Sequence, residues 1–172
     1  MEKETVVLDS GVFDRLIELS ADQLSIILGR YRLATTDVNM MELERIPPSE
    51  KRDKVLRLAK SCEIIGAKIF GLRSYSDETV EDSLGGFASM ASDVPGGRFL
   101  CYEDGDVLKA IGIEQRKIPR GRAGNDAAIA LAIVHAKGTG VIEDRKLRNR
   151  LRGLGKRVIS FDEFLKEALG AP

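Results

Sequence analysis

Four acidic residues fall where short apolar stretches give way to helix-forming ones. Asp9 follows TVVL, Glu42 lies within VNMMELERI, Asp126 precedes AAIALAIVHA, and Asp144 follows GVIE. At 4 Å two ionised carboxylates repel by about 4 kcal/mol at an effective dielectric near 20, so several of them sharing a cleft require a cation. An all-oxygen donor set favours Mg²⁺ or Mn²⁺, which can activate water and clamp a phosphodiester. Bases flank the later acids. The segment RKIPRGR, with Arg120 and Arg122, runs up to Asp126, and RKLRNRLR, with Arg145, Lys146 and Arg148, runs away from Asp144. Acids for a metal beside bases for phosphate fit a metal-dependent nuclease.

Each acid also has a plainer explanation. Asp9, Asp126 and Asp144 each stand where a helix should begin, and a carboxylate at a helix N-terminus contributes roughly 0.5 to 2 kcal/mol through capping and the helix dipole. Together they say more, because parallel strands bring their carboxyl ends to one edge of a sheet. From Asp126, a helix of about 12 residues carries the chain roughly 18 Å away and a short strand brings it back, so Asp126 and Asp144 are expected at the same edge. On a helix starting near Asp37, Glu42 either faces inward with Val38 and Ile46 or lies partly exposed beside Arg45. Ser10 either orients a ligand through its hydroxyl or caps the first helix. The one histidine, His135, is nine residues past Asp126 and about half a turn round the helix from it, so it is expected to be structural or exposed.

The elements that must position these residues can be read from periodicity. Thr5 to Leu8 is a strand, and GVFDRLIELSADQLSIILGRY is one broken helix or two, with Ser20 as a restart point. RLATTD is a short strand, VNMMELERI a helix stopped by Pro47 and Pro48, Ser49 to Cys62 an amphipathic helix, and EIIGAKIFGL a glycine-broken strand. RFLCYEDGDVLKAIGI reads as a hairpin turning at Asp104 and Gly105, with Glu103, Asp104 and Asp106 in a solvated turn. DAAIALAIVHAKG is a buried helix opened by Asp126. Then come strand GVIE, the basic helix DRKLRNRLRG, strand KRVIS and helix FDEFLKEAL. Strands alternating with helices predict a single α/β domain over residues 1–172 with a central, mainly parallel sheet flanked by helices.

Composition narrows the class further. The formal net charge is zero, from 27 basic and 27 acidic residues, but residues 116–157 hold 12 basic and 3 acidic side chains while residues 1–50 hold 5 and 10. A local excess of that size is the footprint expected for a polyanion. No apolar stretch reaches the roughly 18 residues of a membrane span, and the start lacks a secretory pattern, so a cytoplasmic protein without a membrane partner is expected. Cys62 and Cys101 have no metal-ligand spacing and read as packing residues. No GxxxxGK[ST] or GxGxxG phosphate loop is present.

The pattern resembles the PIN-domain family of nucleases. VVLDSGVFDRLIE resembles the family's opening strand with its acid at Asp9, and TTDVNMMELER resembles its second element, with Glu42 followed by leucine. NDAAIALAIVHAKGTGVIEDRKLRNRLRGLGKRVISFDEFL is similar to the family's ending, with Asp126 before the alanine-rich helix and Asp144 before the basic one. The resemblance implies a PIN-like sheet, a divalent metal on Asp9, Glu42, Asp126 and Asp144, and cleavage of single-stranded RNA. Because many compact members are toxins, it also implies a possible antitoxin partner and a homodimer. Two departures stand out. Glu143 occupies a position that is often threonine or serine in the family, where it either adds a ligand or faces solvent. Residues 74–122 form an insertion or lengthened connection between Glu42 and Asp126. A dehalogenase-type phosphatase would carry a second acid two residues after Asp9, where Gly11 stands. The competing reading is a non-catalytic PIN-like module that binds RNA or a protein, its acids serving as caps.

Overall fold

A computed structural model describes residues 3–64, 69–70, 98–99, 102–112, 122–136 and 138–170. Strand β1 (Glu4–Leu8) leads into α1 (Ser10–Leu16) and α2 (Ala21–Arg30), and β2 (Tyr31–Thr35) into α3 (Asp37–Glu44) and α4 (Glu50–Lys60). Three short strands, β3 (Glu63–Ile64), β4 (Ile69–Phe70) and β5 (Arg98–Phe99), come next, then α5 (Tyr102–Ala110). Helix α6 (Arg122–Ala136) feeds β6 (Thr139–Val141), α7 (Arg145–Gly153), β7 (Val158–Ile159) and α8 (Phe161–Leu169). Most of the expected 74–122 connection lies outside the described residues.

The main sheet runs β3-β2-β1-β6-β7, and every pairing in it is parallel. This confirms the expected α/β class. From β1 the chain steps outward to β2 and β3, then returns to the other side of β1 as β6 and steps outward again to β7. Strand order therefore reverses between β1 and β6. At such a reversal the connections leaving the carboxyl ends of neighbouring strands diverge to opposite faces, which opens a crevice.

Both faces of the sheet are buried, so β1 alternates between two cores. Val6 and Leu8 pack with Val12, Phe13, Leu16 and Phe164 on one face. Val7 packs on the other face with Ile129, Ile133 and Ile142 of the α6–β6 unit. Burial of each such side chain is worth about 1.5 to 3 kcal/mol, which explains the nearly unbroken apolar run of the strand. Helix α6 lies very close to the sheet: a Cβ on Gly140 would stand 2.5 Å from Ile133 Cδ1, and one on Gly138 would land on the Thr5 carbonyl oxygen. Cys62 is buried, and burial pushes its thiol up to about 12, as suits a packing residue. Cys101 lies outside the described residues.

Several local expectations hold, and others are corrected. The first helical stretch is two helices, and Ser20 caps the second in a capping box with Gln23. The hairpin expected at Asp104 and Gly105 is instead α5. Val107, Leu108 and Ile111 recur at helical spacing and are buried against the α6 core, which offsets the roughly 1 kcal/mol that glycine costs in a helix. Asp106 is thus an exposed helical residue, and the acids expected in a turn belong to that helix. The EIIGAKIFGL stretch carries two strands in different sheets: β3 pairs with β2 in the main sheet, and β4 pairs with β5 in a second, two-stranded one. Among the described residues no helix is long and apolar enough to cross a membrane.

Candidate active site

The reversal between β1 and β6 is where the acids collect. Asp9 is the residue after β1, and its backbone N–H donates to Val141 O of β6 at 3.1 Å. Asp144 stands three residues beyond that carbonyl. Both cap helices. The Asp9 side chain accepts from Ser10 N at 2.9 Å, so Asp9, not Ser10, is the N-cap of α1. Asp144 Oδ1 accepts from Lys146 N at 2.7 Å and Leu147 N at 3.1 Å at the start of α7.

Glu42 and Asp126 arrive from helices. Glu42 is half-buried in the last turn of α3, and its Oε2 accepts the Ser10 hydroxyl at 2.8 Å. The Ser10 hydroxyl thus holds the Glu42 carboxylate, while the Val38 side chain lies outside the described residues. Helix α6 begins at Arg122, four residues earlier than expected, so Asp126 lies in its second turn and is too far in to cap it. It is half-buried at the head of a run, Ala127 to Ile133, that is buried throughout. Helices α3 and α6 pack against each other, so their acids converge.

The convergence registers on Asp9. Its pKa is raised from the ordinary 3.8 to about 6, first by burial and then by the charges of Glu42, Asp126 and Asp144, against the lowering effect of the Ser10 amide. All four acids keep intermediate exposure, which leaves the group open to a ligand from solvent. Among the described residues, no three His, Cys, Asp or Glu side chains already stand close enough together to grip a metal ion. The donor set fits a divalent cation in kind: all oxygen, acidic, clustered at one edge, and mutually repelling without one.

No protein-family model matches the chain, and no curated protein or solved structure matches it either.

The basic residues divide into two kinds. Arg145 and Lys146 are exposed in the first turn of α7, beside Asp144. Arg148 is half-buried, and its Nη1 donates to Ile142 O at 2.6 Å and Glu143 O at 3.2 Å, so it staples the β6–α7 turn. Farther along the same helix, Arg150 donates to Ile111 O and Arg152 to Val158 O. Much of the basic helix is thus spent on neighbouring carbonyls, which an alternating charge count cannot reveal. Arg120 and the side chains of Arg122 and His135 lie outside the described residues.

Glu143 is exposed, as one of its two expected roles has it, and it also makes contacts. Its Oε1 accepts the Phe161 amide at the start of α8 at 2.9 Å, and its Oε2 lies 3.9 Å from Arg15. Arg15 in turn pairs with Asp162 at 2.7 Å and lies over the Phe161 ring. Two functional candidates were missed from sequence: Thr35 and Asn39, both fully buried beside Asp9. The available signal was the polar run TTDVN, set between a buried strand and the helix that carries Glu42.

Proposed function

We propose that this chain is a metal-dependent ribonuclease of PIN type that hydrolyses single-stranded RNA at the β1–β6 edge of its sheet. The observation that carries the reading is the coupling of Asp9 to Glu42, Asp126 and Asp144 at the reversal of strand order. Asp126 contributes from the second turn of α6, where it is not a cap. Asp9, Glu42, Asp126 and Asp144 would hold Mg²⁺ or Mn²⁺, directly or through water. A divalent cation so held supplies a Lewis acid that activates water and offsets charge on the phosphate.

The chain's own groups do the rest. The Ser10 hydroxyl fixes the Glu42 carboxylate, and amides at two helix N-termini fix Asp9 and Asp144. Arg145 and Lys146 offer exposed charge for the phosphates flanking the scissile bond. The resemblance extends the reading to a toxin with an antitoxin partner and to a homodimer; Ile26 and Leu28, exposed on α2, offer apolar surface for a protein contact.

The competing reading, a non-catalytic module that binds RNA or protein, draws on the open spacing of the carboxylates. A cleavage assay on single-stranded RNA decides between them. Wild type should cleave with Mg²⁺ or Mn²⁺ and stop with EDTA, and Asp126→Asn should lose the activity. RNA binding that persists in EDTA, with no cleavage under any metal, would favour the binding module.

A further inference from the structure

The peptide between Leu8 and Asp9 is pinned from both sides. Its N–H, on Asp9, donates to Val141 O of β6. Its carbonyl, on Leu8, points the other way, and on that side the β1–β2 register ends at the pair Val7–Ala34, one residue short. Two side chains take over there. Thr35 Oγ1 donates to Leu8 O at 3.1 Å, and Asn39 Nδ2 donates to the same oxygen at 3.0 Å and reaches Thr35 Oγ1 at 3.2 Å. Both residues are essentially inaccessible to solvent.

Buried polar side chains are retained where they satisfy a partner that water cannot reach. One donor would satisfy the Leu8 carbonyl; here there are two, and each comes from a different element. Thr35 ends β2, and Asn39 stands on α3, one turn before Glu42. The backbone N–H of Asn39 is itself held by the Thr36 hydroxyl at 3.1 Å, so the start of α3 is fixed to the strand end as well. One peptide is thereby tied to the element carrying Glu42 and, through Val141, to the turn carrying Asp144.

We infer that Asn39 and Thr35 are positioning residues that set the aim of Asp9 relative to Glu42 and Asp144. This rests on the reading of that edge as a divalent-cation site. Neither residue touches the cation or the RNA; they act through the Leu8–Asp9 peptide. Asn39→Leu keeps the branched outline of the side chain and removes its donors, and Thr35→Val does the same for the hydroxyl.

The test is a Mn²⁺ titration of the full chain, with free Mn²⁺ followed by its electron paramagnetic resonance signal and folding followed by circular-dichroism melts. Val55→Ala, in the buried core on α4, serves as a control for general softening. Wild type is expected to bind Mn²⁺, Asn39→Leu and Thr35→Val to bind at least fivefold more weakly while folded, and Val55→Ala to bind like wild type despite a lower melting temperature. If either folded clamp variant kept wild-type affinity, or if Val55→Ala lost as much affinity as they do, the positioning role would be refuted. If Asn39→Leu does not fold, Thr35→Val decides alone. If neither folds, the pair belongs to the core only and the inference fails. A wild type that bound no Mn²⁺ would remove the metal-site reading itself.

Discussion

Replacing Asp9 with asparagine should make the metal-free protein more stable while abolishing the proposed cleavage of RNA. In the native state the Asp9 carboxyl holds its proton up to about pH 6, against about 3.8 when unfolded. Between those values the native state binds more protons than the unfolded chain, so stability falls as pH rises through that window. The contribution is fully present below about pH 3.8 and fully lost above about pH 6. At about 1.4 kcal/mol per pH unit, ionised Asp9 costs the fold up to about 3 kcal/mol at pH 8, and roughly half of that at pH 5. Asparagine removes the charge and keeps an oxygen to accept the Ser10 amide, so the helix cap survives. For a chain of this length, about 3 kcal/mol corresponds to roughly 6 to 12 °C in melting temperature. Urea unfolding in EDTA at pH 5 and pH 8 should therefore show Asp9→Asn above wild type, with the gap about twice as large at pH 8. Saturating Mn²⁺ should narrow or reverse it, since ligand binding stabilises only the competent protein. A destabilised Asp9→Asn at pH 8, or a gap that does not change with pH, would refute the reasoning.

Three further outcomes follow from particular contacts. Ser10→Ala removes the hydroxyl that holds Glu42, and since a hydrogen bond to a charged group contributes about 1.5 to 3 kcal/mol, single-turnover RNA cleavage should slow by about tenfold or more with little change in melting. Arg145→Ala and Arg148→Ala should separate by assay. The first should weaken RNA binding and lower the salt slope by about 1 in fluorescence anisotropy, whereas the second should lower the unfolding free energy measured in urea by about 1 to 3 kcal/mol, because strand-turn carbonyls lose their donor. Gly138→Ala should be destabilised by more than about 3 kcal/mol, or fail to accumulate in soluble form, because its Cβ would land on the Thr5 carbonyl oxygen; normal unfolding would show that the β1–β6 approach can widen.

Where one face or both faces of an element are buried, its sequence carried a readable period. The β1 run, the alanine-rich α6 and the amphipathic α7 were all legible for that reason, and so was the parallel sheet they imply. Ser20, Thr36 and Ser160 also behave as their residue types suggest, each capping a helix. Reading failed at α5, where Asp-Gly outweighed the Val107, Leu108, Ile111 spacing, because a local turn signal says nothing of the α6 surface waiting to bury that stripe. It also failed for the arginines of α7. A basic residue facing solvent and one reaching a carbonyl on the next element have the same identity and the same helical phase, and only the packing separates Arg145 from Arg148. Asn39 was hidden for a related reason: its partner is the Leu8 carbonyl, 31 positions away, where the ladder ends.

Capping and metal binding turn out not to be rival explanations for the acids. A strand that ends and a helix that begins produce, at one point, amides that need an acceptor and a crevice that a ligand can enter. A carboxylate has two oxygens, so accepting an amide through one leaves capping and ligation compatible in the same residue, and the amide fixes its direction. Asp144 uses Oδ1 for both of its capping bonds. Asp126, in the second turn of α6, is not a cap; it sits half-buried at the same edge, and its charge adds to the rise in the Asp9 pKa from another helix. Asp126→Asn separates the two roles: with RNA and Mn²⁺ it should remove cleavage, and in EDTA it should lower the Asp9 pKa by less than burial raises it. An Asp126→Asn variant that still cleaves would take Asp126 out of the site, and the case for a cation would then rest on Asp9, Glu42 and Asp144 alone.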